Sequence, residues 1–582
     1  MAKPYWKEKH KMNYMKEYEL WKSKALDEAL QKELKKIEGK DNEILSRFGA
    51  SLTFGTAGLR GVLGVGTNRM NIYTVRRATQ GLSDYVNERF GGGAVAISYD
   101  SRNMSKEFAE ECASVLAGNG LEAYIYDRLM PTPMLSFAVR ELKAKAGIMI
   151  TASHNPAAYN GYKAYGSDGC QMTSEDANAV YERIEKVDIF GGVKHKNFDE
   201  GLKDASIKYI SKFVIEQFYN EVLKCKVSGT ACEAYPISVV YSPLNGTGNE
   251  PVRRIMDELG ISDVYVVKEQ ELPDGNFPTC TYPNPETKEA LALGLKLCEE
   301  KKPDLFIATD PDADRVGVAF KEEDGSFRIL TGNEVGALLL NYIIEARTKN
   351  NTMPKNPVAV KSIVSTALAD EIAKKGGVEL RTVLTGFKYI GEQILFLEQA
   401  GESERFIFGF EESCGYLAGS YVRDKDAVLA TMLLCEMTSY YKSKGKTVLE
   451  VLKELYETYG YYMNRVINKE FPGINGAAEM KAVMDRLYSS YPEKIGGLLV
   501  TSAVDYKQRV KKSITLGTES PINLPEADVI EFLLENGASV MIRPSGTEPK
   551  MKVYMSVNEK TAEESEKVLA KLEKSAKTII GK

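Results

Sequence analysis

The residues best able to do chemistry lie in a few short segments. Thr151-Ala-Ser-His-Asn-Pro156 places Ser153 just past the apolar run Gly147 to Ile150 and beside His154, one of only three histidines in the chain. A hydroxyl there, backed by loop amides, can act as a nucleophile or carry a phosphoryl group. The same residue types also build ordinary turns. No G-x-S-x-G elbow surrounds Ser153, which sets aside a serine hydrolase. Thr309-Asp-Pro-Asp-Ala-Asp-Arg315 follows another apolar run and sets Asp310, Asp312 and Asp314 at alternating positions. Three close carboxylates repel unless a cation joins them, and hard oxygen ligands suit magnesium, manganese or calcium. An EF-hand would need Gly and Glu where this chain has Arg315 and Lys321, and the D-x-D-x-[TV] pattern of haloacid-dehalogenase phosphatases is broken by Asp314. Ile542-Arg-Pro-Ser-Gly-Thr-Glu-Pro-Lys550 gathers Arg543, Ser545 and Thr547 around Gly546, a guanidinium and two hydroxyls that could cradle a phosphate, or a capped polar turn. Phe54 to Gly61 is a Gly-rich loop presenting Arg60, and Asp100-Ser-Arg102 presents a second arginine at a strand end. Neither is a dinucleotide fingerprint or a Walker A loop, and Gly445-Lys-Thr447 lacks the required upstream Gly because that position is Tyr440.

These segments need scaffolding. Short β-branched runs ending in polar loops and followed by helix-like stretches recur at Ala94 to Tyr99, Gly147 to Ile150, Ile237 to Tyr241, Leu305 to Ala308, Val358 to Val360 and Phe406 to Phe408. That alternation predicts α/β units whose ligands gather beyond the carboxyl ends of the strands. From about Tyr461 the pattern changes: helices at Ala477 to Tyr488 and Ala562 to Lys577 flank strands at Ala538 to Ile542 and Lys552 to Val557. The expected architecture is three α/β domains with mixed, largely parallel sheets plus a C-terminal α+β domain, around a central cleft. The expected divisions are 1–210, 211–325, 326–458 and 459–582. Residues from about 15 to 47 read as an amphipathic packing helix or helix pair. No strong internal sequence repeat is visible.

Composition narrows the function. The chain has 582 residues, 43% hydrophobic and 27% charged, with a formal net charge of −5. The length suits about three to five domains. Nothing in the bulk charge favours nucleic acid or a membrane surface, so an acidic ligand needs a local basic site. No apolar run reaches the roughly 18 residues of a membrane span. The eight cysteines are scattered without a CxxC pair or histidines at ligand spacing, which fits reduced thiols in a cytoplasmic protein and no zinc site.

Five motifs occur in a telling order: Gly55-Thr-Ala-Gly-Leu-Arg60, Thr151 to Pro156, Asp310 to Arg315, Gly409-Phe-Glu-Glu-Ser413 and Arg543 to Pro549. With them the chain resembles the α-D-phosphohexomutase superfamily from about residue 50 to 557. The segment Pro273 to Pro278, followed by Pro283 to Glu286, is similar to the family's second domain. Length and N-terminal extension are most similar to the longer phosphoglucomutases, a group that includes phosphopentomutases and glucose 1,6-bisphosphate synthases.

The resemblance implies four domains around one cleft, each giving one loop. It implies a phosphoserine at Ser153, and magnesium held by Asp310, Asp312 and Asp314 with the Ser153 phosphate. Arg60, His154 and Lys163 would stand at the transferred phosphoryl, with Lys163 a proton carrier. Glu411 and Ser413 would hold sugar hydroxyls, Thr385, Gly386 and Lys388 would orient the sugar, and Arg543, Ser545, Gly546 and Thr547 would bind the distal phosphate. Arg102, Arg315 and Lys425 complete the implied substrate contacts. The implied reaction interconverts glucose 1-phosphate and glucose 6-phosphate through glucose 1,6-bisphosphate, which also serves as activator, in a monomer or homodimer. Mannose or pentose phosphates are alternative substrates, and a metal-dependent phosphatase or a silent sugar-phosphate binder are alternative classes. Lys552 stands where many relatives have Arg, which weakens bidentate phosphate contact while keeping the charge. Phe410 and Cys414 are further departures, in the sugar loop.

Overall fold

The structure is a computed structural model that describes residues 14–55, 58–228, 232–472, 476–545 and 550–581. Three short helices, Tyr14–Lys24, Glu28–Lys36 and Asp41–Phe48, open the chain, one more than the expected pair. The extra break falls at Gly39, whose φ of 73° is a left-handed conformation that glycine adopts cheaply. Their apolar stripes bury Tyr18, Trp21, Leu34, Ile37, Ile44 and Phe48 against Val65 and Tyr73, with the Trp21 ring edge-on to Phe48, Tyr73 and Phe190. The helices therefore brace the loop after strand Gly58–Val62.

Each of the next three units is a mixed sheet of one plan. The first has the strand order Gly58–Val62, Tyr159–Gly166, Ala146–Ile150, Ala94–Tyr99, Glu122–Ile125, Ile207–Tyr209, parallel except for the two pairings made by Tyr159–Gly166. The second runs Phe327–Leu330, Val316–Lys321, Leu305–Thr309, Ser238–Ser242, Asp263–Val266, again parallel up to Leu305–Thr309 and antiparallel beyond it. The third runs Glu379–Val383, Val358–Ser362, Phe406–Glu411, Gly415–Leu417, with the last pairing antiparallel. Strands such as Ala146–Ile150, Leu305–Thr309 and Phe406–Glu411 are buried throughout, which is why they read as unbroken apolar runs. The third begins where expected but extends through Glu411, so Gly409 and Glu411 are strand residues.

In every one of these sheets, one parallel strand turns straight into an antiparallel neighbour, and the joining loop carries chemistry-bearing residues. Each loop turns on one left-handed residue that is not glycine: Ser153 (φ 50°), Ala313 (φ 46°) and Cys414 (φ 60°). Such a conformation costs on the order of 1–3 kcal/mol and persists only where surrounding contacts enforce it.

The C-terminal unit is an antiparallel sheet ordered Tyr461–Glu470, Lys550–Glu559, Ser539–Pro544, Ile530–Leu534, Leu498–Asp505, Val510–Ser513, Thr518–Pro521, flanked by helices Gly476–Ser489 and Ala562–Ile579. One continuous core passes through the first three units, from Met134 through Ile255 and Leu338 to Leu433. The C-terminal sheet has its own core around Phe532, Val540 and Leu572, and meets the third unit through a small cluster in which Val364 and Leu384 face Val504, Tyr506, Met541 and Tyr554. Among the described residues no helix is long and apolar enough to cross a membrane.

Candidate active site

The Ser153 loop is held from beneath. Thr151 Oγ1 accepts the Ser153 amide at 2.8 Å and donates to Asp100 Oδ2 at 2.6 Å. Asp100 Oδ1 accepts the Arg102 amide and the Ser105 hydroxyl. Arg102 was expected to touch substrate, but it is 3% exposed and its guanidinium is spent on the loop. It donates to the carbonyls of Ser153, Asn155, Pro156 (2.9 Å) and Tyr159 (3.1 Å), lies over the Phe277 ring, and pairs with Asp100. A planar fork with several donors can converge on four carbonyls where an ammonium cannot. Arg102 is thus a part of the scaffold that enforces the left-handed Ser153.

The second sheet's loop brings its carboxylates to this serine. Ser153 Oγ donates to Asp310 Oδ2 at 2.8 Å and lies 3.1 Å from His154 Nδ1. Asp310, Asp312 and Asp314 are at most 1% exposed, and one ligand atom from each lies within 4.8 Å of the others. Asp310 Oδ1 accepts the amides of Asp314 and Arg315, which fixes the turn. Asp312 Oδ2 takes the Thr132 hydroxyl and the Lys163 ammonium, both at 2.8 Å, and Asp314 Oδ2 takes Lys425 at 2.8 Å. The other oxygens, Asp312 Oδ1 and Asp314 Oδ1, are buried with no hydrogen-bond partner among the described residues. Two orphaned hard acceptors beside a third carboxylate fit a divalent cation such as magnesium.

The electrostatics agree. Burial, then repulsion from Asp312 and Asp314, pushes the Asp310 carboxyl well above the usual range. Burial also acts to raise Asp312, but Lys163 and Lys425 outweigh it and hold it low. Reciprocally, burial pulls Lys163 and Lys425 down, but the aspartates more than compensate and keep both as ammonium ions. Burial, then Arg315 and Arg60, holds His154 well below its usual value, so its imidazole is neutral. Arg60 reaches the Asn155 side chain at 3.4 Å from its strand, and Arg315 bonds Glu286 at 3.1 Å while lying 3.7 Å from Asp314.

The third sheet supplies the neighbouring wall. Glu411 is buried and accepts the Gly386 amide at 2.6 Å, tying the strand end to the Thr385–Lys388 loop. Burial raises its pKa, with Lys425 opposing. Ser413, Thr385 and Lys388 are half-buried nearby in sequence to these anchors. The next residue after Glu411, Glu412, accepts the Ser362 hydroxyl at 3.2 Å and is pushed up to about 7 by burial and by Glu411. From the C-terminal sheet, Arg543 stands opposite Lys552 in register, and the Ser545 amide closes the turn on the Lys550 carbonyl at 2.7 Å. Gly546 and Thr547 lie outside the described residues. Burial lowers Lys552, whose charged neighbours are Glu412 of the third unit, Arg315 and Glu286 of the second, and Arg543 of its own sheet, so this lysine faces two of the other walls.

Sequence reasoning missed Thr132, Glu286 and Asp424 as site residues. Asp424 accepts the Tyr165 hydroxyl at 2.7 Å and the Lys425 amide, steering the lysine to Asp314. Its adjacency to Lys425 in Arg423-Asp-Lys-Asp426 was the available signal. Nothing local marks Thr132, which reaches Asp312 only through the packing of two sheets.

Comparison with known proteins matches the four successive descriptions of the phosphoglucomutase/phosphomannomutase family. Its alpha/beta/alpha domains I, II and III match residues 51–189, 216–325 and 331–459, and its C-terminal domain matches residues 490–574. A phosphoglucomutase of Staphylococcus saprophyticus is 38% identical over 89% of this chain and 92% of its own. One from Staphylococcus aureus is 36% identical over 93% and 95%. The crystal structure of Paramecium parafusin, a phosphoglucomutase in an open form, superposes with a TM-score of 0.65 at 18% identity, covering 91% of this chain and 94% of that one, a likeness of fold.

Proposed function

Because the chain belongs to the phosphoglucomutase/phosphomannomutase family, we propose that it interconverts α-D-glucose 1-phosphate and D-glucose 6-phosphate through a phosphoserine at Ser153. The observation that carries the reading is the 2.8 Å contact between Ser153 Oγ and Asp310, made across two sheets and surrounded by Lys163, Lys425, His154 and Arg60. Asp310, Asp312 and Asp314, together with the Ser153 phosphate, would hold magnesium. That ion, when bound, supplies positive charge to the transferring phosphoryl group.

Phosphoryl transfer asks for alignment and for positive charge on the equatorial oxygens. Lys163 and Arg60 supply charge from one side. In the first half-reaction the Ser153 Oγ–P bond breaks and a bond from the sugar's 6-hydroxyl to phosphorus forms. The hydroxyl gives up a proton, and Ser153 Oγ takes one. Lys163, kept protonated, would give Ser153 Oγ the proton it takes as it leaves, and the proton of the 6-hydroxyl would pass to an oxygen of the transferring phosphoryl group. In the return half-reaction His154, neutral and 3.1 Å from Oγ, would take the proton of the attacking Ser153 hydroxyl. Glu411, Ser413 and the Thr385–Lys388 loop would hold the sugar hydroxyls. Arg543, Ser545, Gly546 and Thr547 would hold the phosphate that is not reacting. The glucose 1,6-bisphosphate so formed turns end for end, and transfer of its other phosphoryl back to Ser153 releases product. Added bisphosphate would act as activator by phosphorylating resting enzyme. The domain divisions would be 1–210, 211–325, 326–458 and 459–582, and the protein would work in the cytoplasm as a monomer or homodimer.

The haloacid-dehalogenase-like alternative needs a free aspartate nucleophile. Asp310, the first of the series, has both oxygens engaged, by two amides and by Ser153, which supports the serine as the reacting group. A phosphorus NMR time course with magnesium, glucose 1-phosphate and a trace of the bisphosphate tests the reading. Growth of glucose 6-phosphate at constant sugar phosphate is expected. Release of inorganic phosphate as the main product would replace the mutase by a phosphatase, and faster turnover of mannose or ribose 1-phosphate would reassign the substrate.

A further inference from the structure

Away from the reacting atoms, one carboxylate ties together parts of the chain that the mechanism needs in register. Glu398 lies near the end of helix Phe387–Gln399, whose start carries the Thr385–Lys388 loop. Its Oε1 accepts Arg140 Nη2 of the first unit at 2.8 Å, and its Oε2 accepts Arg423 Nη2 at 2.6 Å. Arg140 also donates to the Asp168 carbonyl at 3.1 Å. The Arg423 side chain is 0% exposed, and Glu398 is its ion-pair partner among the described residues.

The residues around Arg423 reach into every neighbouring wall. Its amide donates to Ser136 of the first unit at 2.9 Å, Asp424 accepts the Tyr165 hydroxyl, Lys425 donates to Asp314, and the Ala427 amide donates to the Ala313 carbonyl of the aspartate loop. The helix and this segment are packed backbone to backbone, because a Cβ on Gly391 would stand 2.6 Å from the Arg423 carbonyl and 2.8 Å from Cys170 Sγ of the first unit. Cys170 Sγ in turn donates to the Lys388 carbonyl at 3.4 Å.

We propose that Glu398 is a positioning residue: by clamping Arg140 and Arg423 together it pins helix Phe387–Gln399, with the Thr385–Lys388 loop at its start, and the Arg423–Asp426 segment to the first unit, keeping Lys425 on Asp314 and the sugar-facing wall closed over Ser153. The inference rests on the mutase reading. Without the clamp, Lys425 and the start of the helix lose their registration, transfer slows, and water enters beside the phosphoserine, where it takes the phosphoryl group by breaking the Ser153 Oγ–P bond and forming inorganic phosphate.

The test uses the full chain and two variants. Glu398→Ala removes the clamp but leaves a buried guanidinium without its counter-ion, which can cost folding. Arg423→Met/Glu398→Leu removes both charges together, and with them the Arg423 donations to the Ser420 and Val422 carbonyls, so that no buried guanidinium is left without its counter-ion. The readout is the ratio of inorganic phosphate to glucose 6-phosphate formed from glucose 1-phosphate, followed by phosphorus NMR. That ratio is independent of how much of the protein is folded. We expect it to rise about tenfold, with kcat down about tenfold and KM raised only a few-fold, since the Thr385–Lys388 loop shifts while the Arg543 loop that grips the distal phosphate is not attached to the clamp. A folded double variant with the wild-type ratio and kcat overturns the proposal. Wild-type protein that forms no glucose 6-phosphate overturns the mutase reading and the proposal with it.

Discussion

The two ends of the cleft are built on different terms. At the Ser153 end, the Asp310 series, Arg102 and Lys425 are almost fully buried, their positions fixed by contacts from three sheets that share one core. At the other end, Arg543 and Ser545 are half-buried on a sheet with a separate core, joined to the rest by the small cluster around Val364 and Tyr554. The difference teaches a division of labour. Strained, desolvated groups at the first end are preorganised for charge that develops in transfer. The second end meets the rest through few apolar contacts, and such regions open at low cost. An intermediate that turns end for end needs one wall that can yield and one that does not.

The largest test of the rigid end is Ser153→Ala. We expect turnover to fall about 10⁴-fold or more with the thermal transition unchanged, because Thr151, Asp100 and Arg102 hold the loop without the hydroxyl. Near wild-type turnover would remove the phosphoserine from the mechanism. Arg102→Lys comes next. It keeps the charge opposite Asp100 but cannot reach four carbonyls, so kcat is expected to fall about a hundredfold with KM little changed. If KM alone rose, Arg102 would be a substrate contact after all.

The same contrast explains what could be read from the chain. Buried parallel strands are legible because both faces are apolar, so Ala94–Tyr99 and Leu305–Thr309 stood out. The strand-end loops followed from them, and with those loops came Ser153, the three aspartates and Arg543. The equivalence of the three loops was not legible. Ser153, Ala313 and Cys414 share a conformation and not a residue type, and side-chain identity carries no record of a φ angle enforced by tertiary contacts. The use of Arg102 was hidden for a related reason. An arginine at a strand end can face ligand or backbone, and only the path of residues 153–159 decides which. Thr132, Asp424 and Glu398 act across sheets, at sequence separations of 180, 259 and 258 residues from Asp312, Tyr165 and Arg140.

For the yielding end, Arg543→Ala is expected to raise KM for glucose 1-phosphate about 10- to 100-fold while kcat falls less than tenfold, measured by steady-state kinetics at saturating magnesium. A loss confined to kcat would mean that the loop acts at the transferring phosphoryl and that the two ends are not specialised as argued.

The smallest effect concerns a stress inside the shared core. Glu436 lies in helix Ala427–Lys442, is 2% exposed, and accepts the Val227 amide at 3.1 Å. Unlike Asp312 and Asp314 it has no cation bonded to it among the described residues, and burial pushes its pKa from 4.5 up to about 7. Between those two values the folded protein keeps a proton that the unfolded chain releases. Its contribution to stability is therefore complete below pH 4.5 and is lost as pH rises through 7. Glu436→Gln, which imitates the protonated form and can still accept from Val227, should stabilise the protein by about 1–3 kcal/mol at pH 8, seen as a Tm raised by a few degrees. At pH 5 the difference should nearly vanish, and catalysis should not change at either pH. A Tm gain that is the same at both pH values would show that the glutamate is not the buried, uncompensated charge, and that the core shared by the first three units is under no such stress.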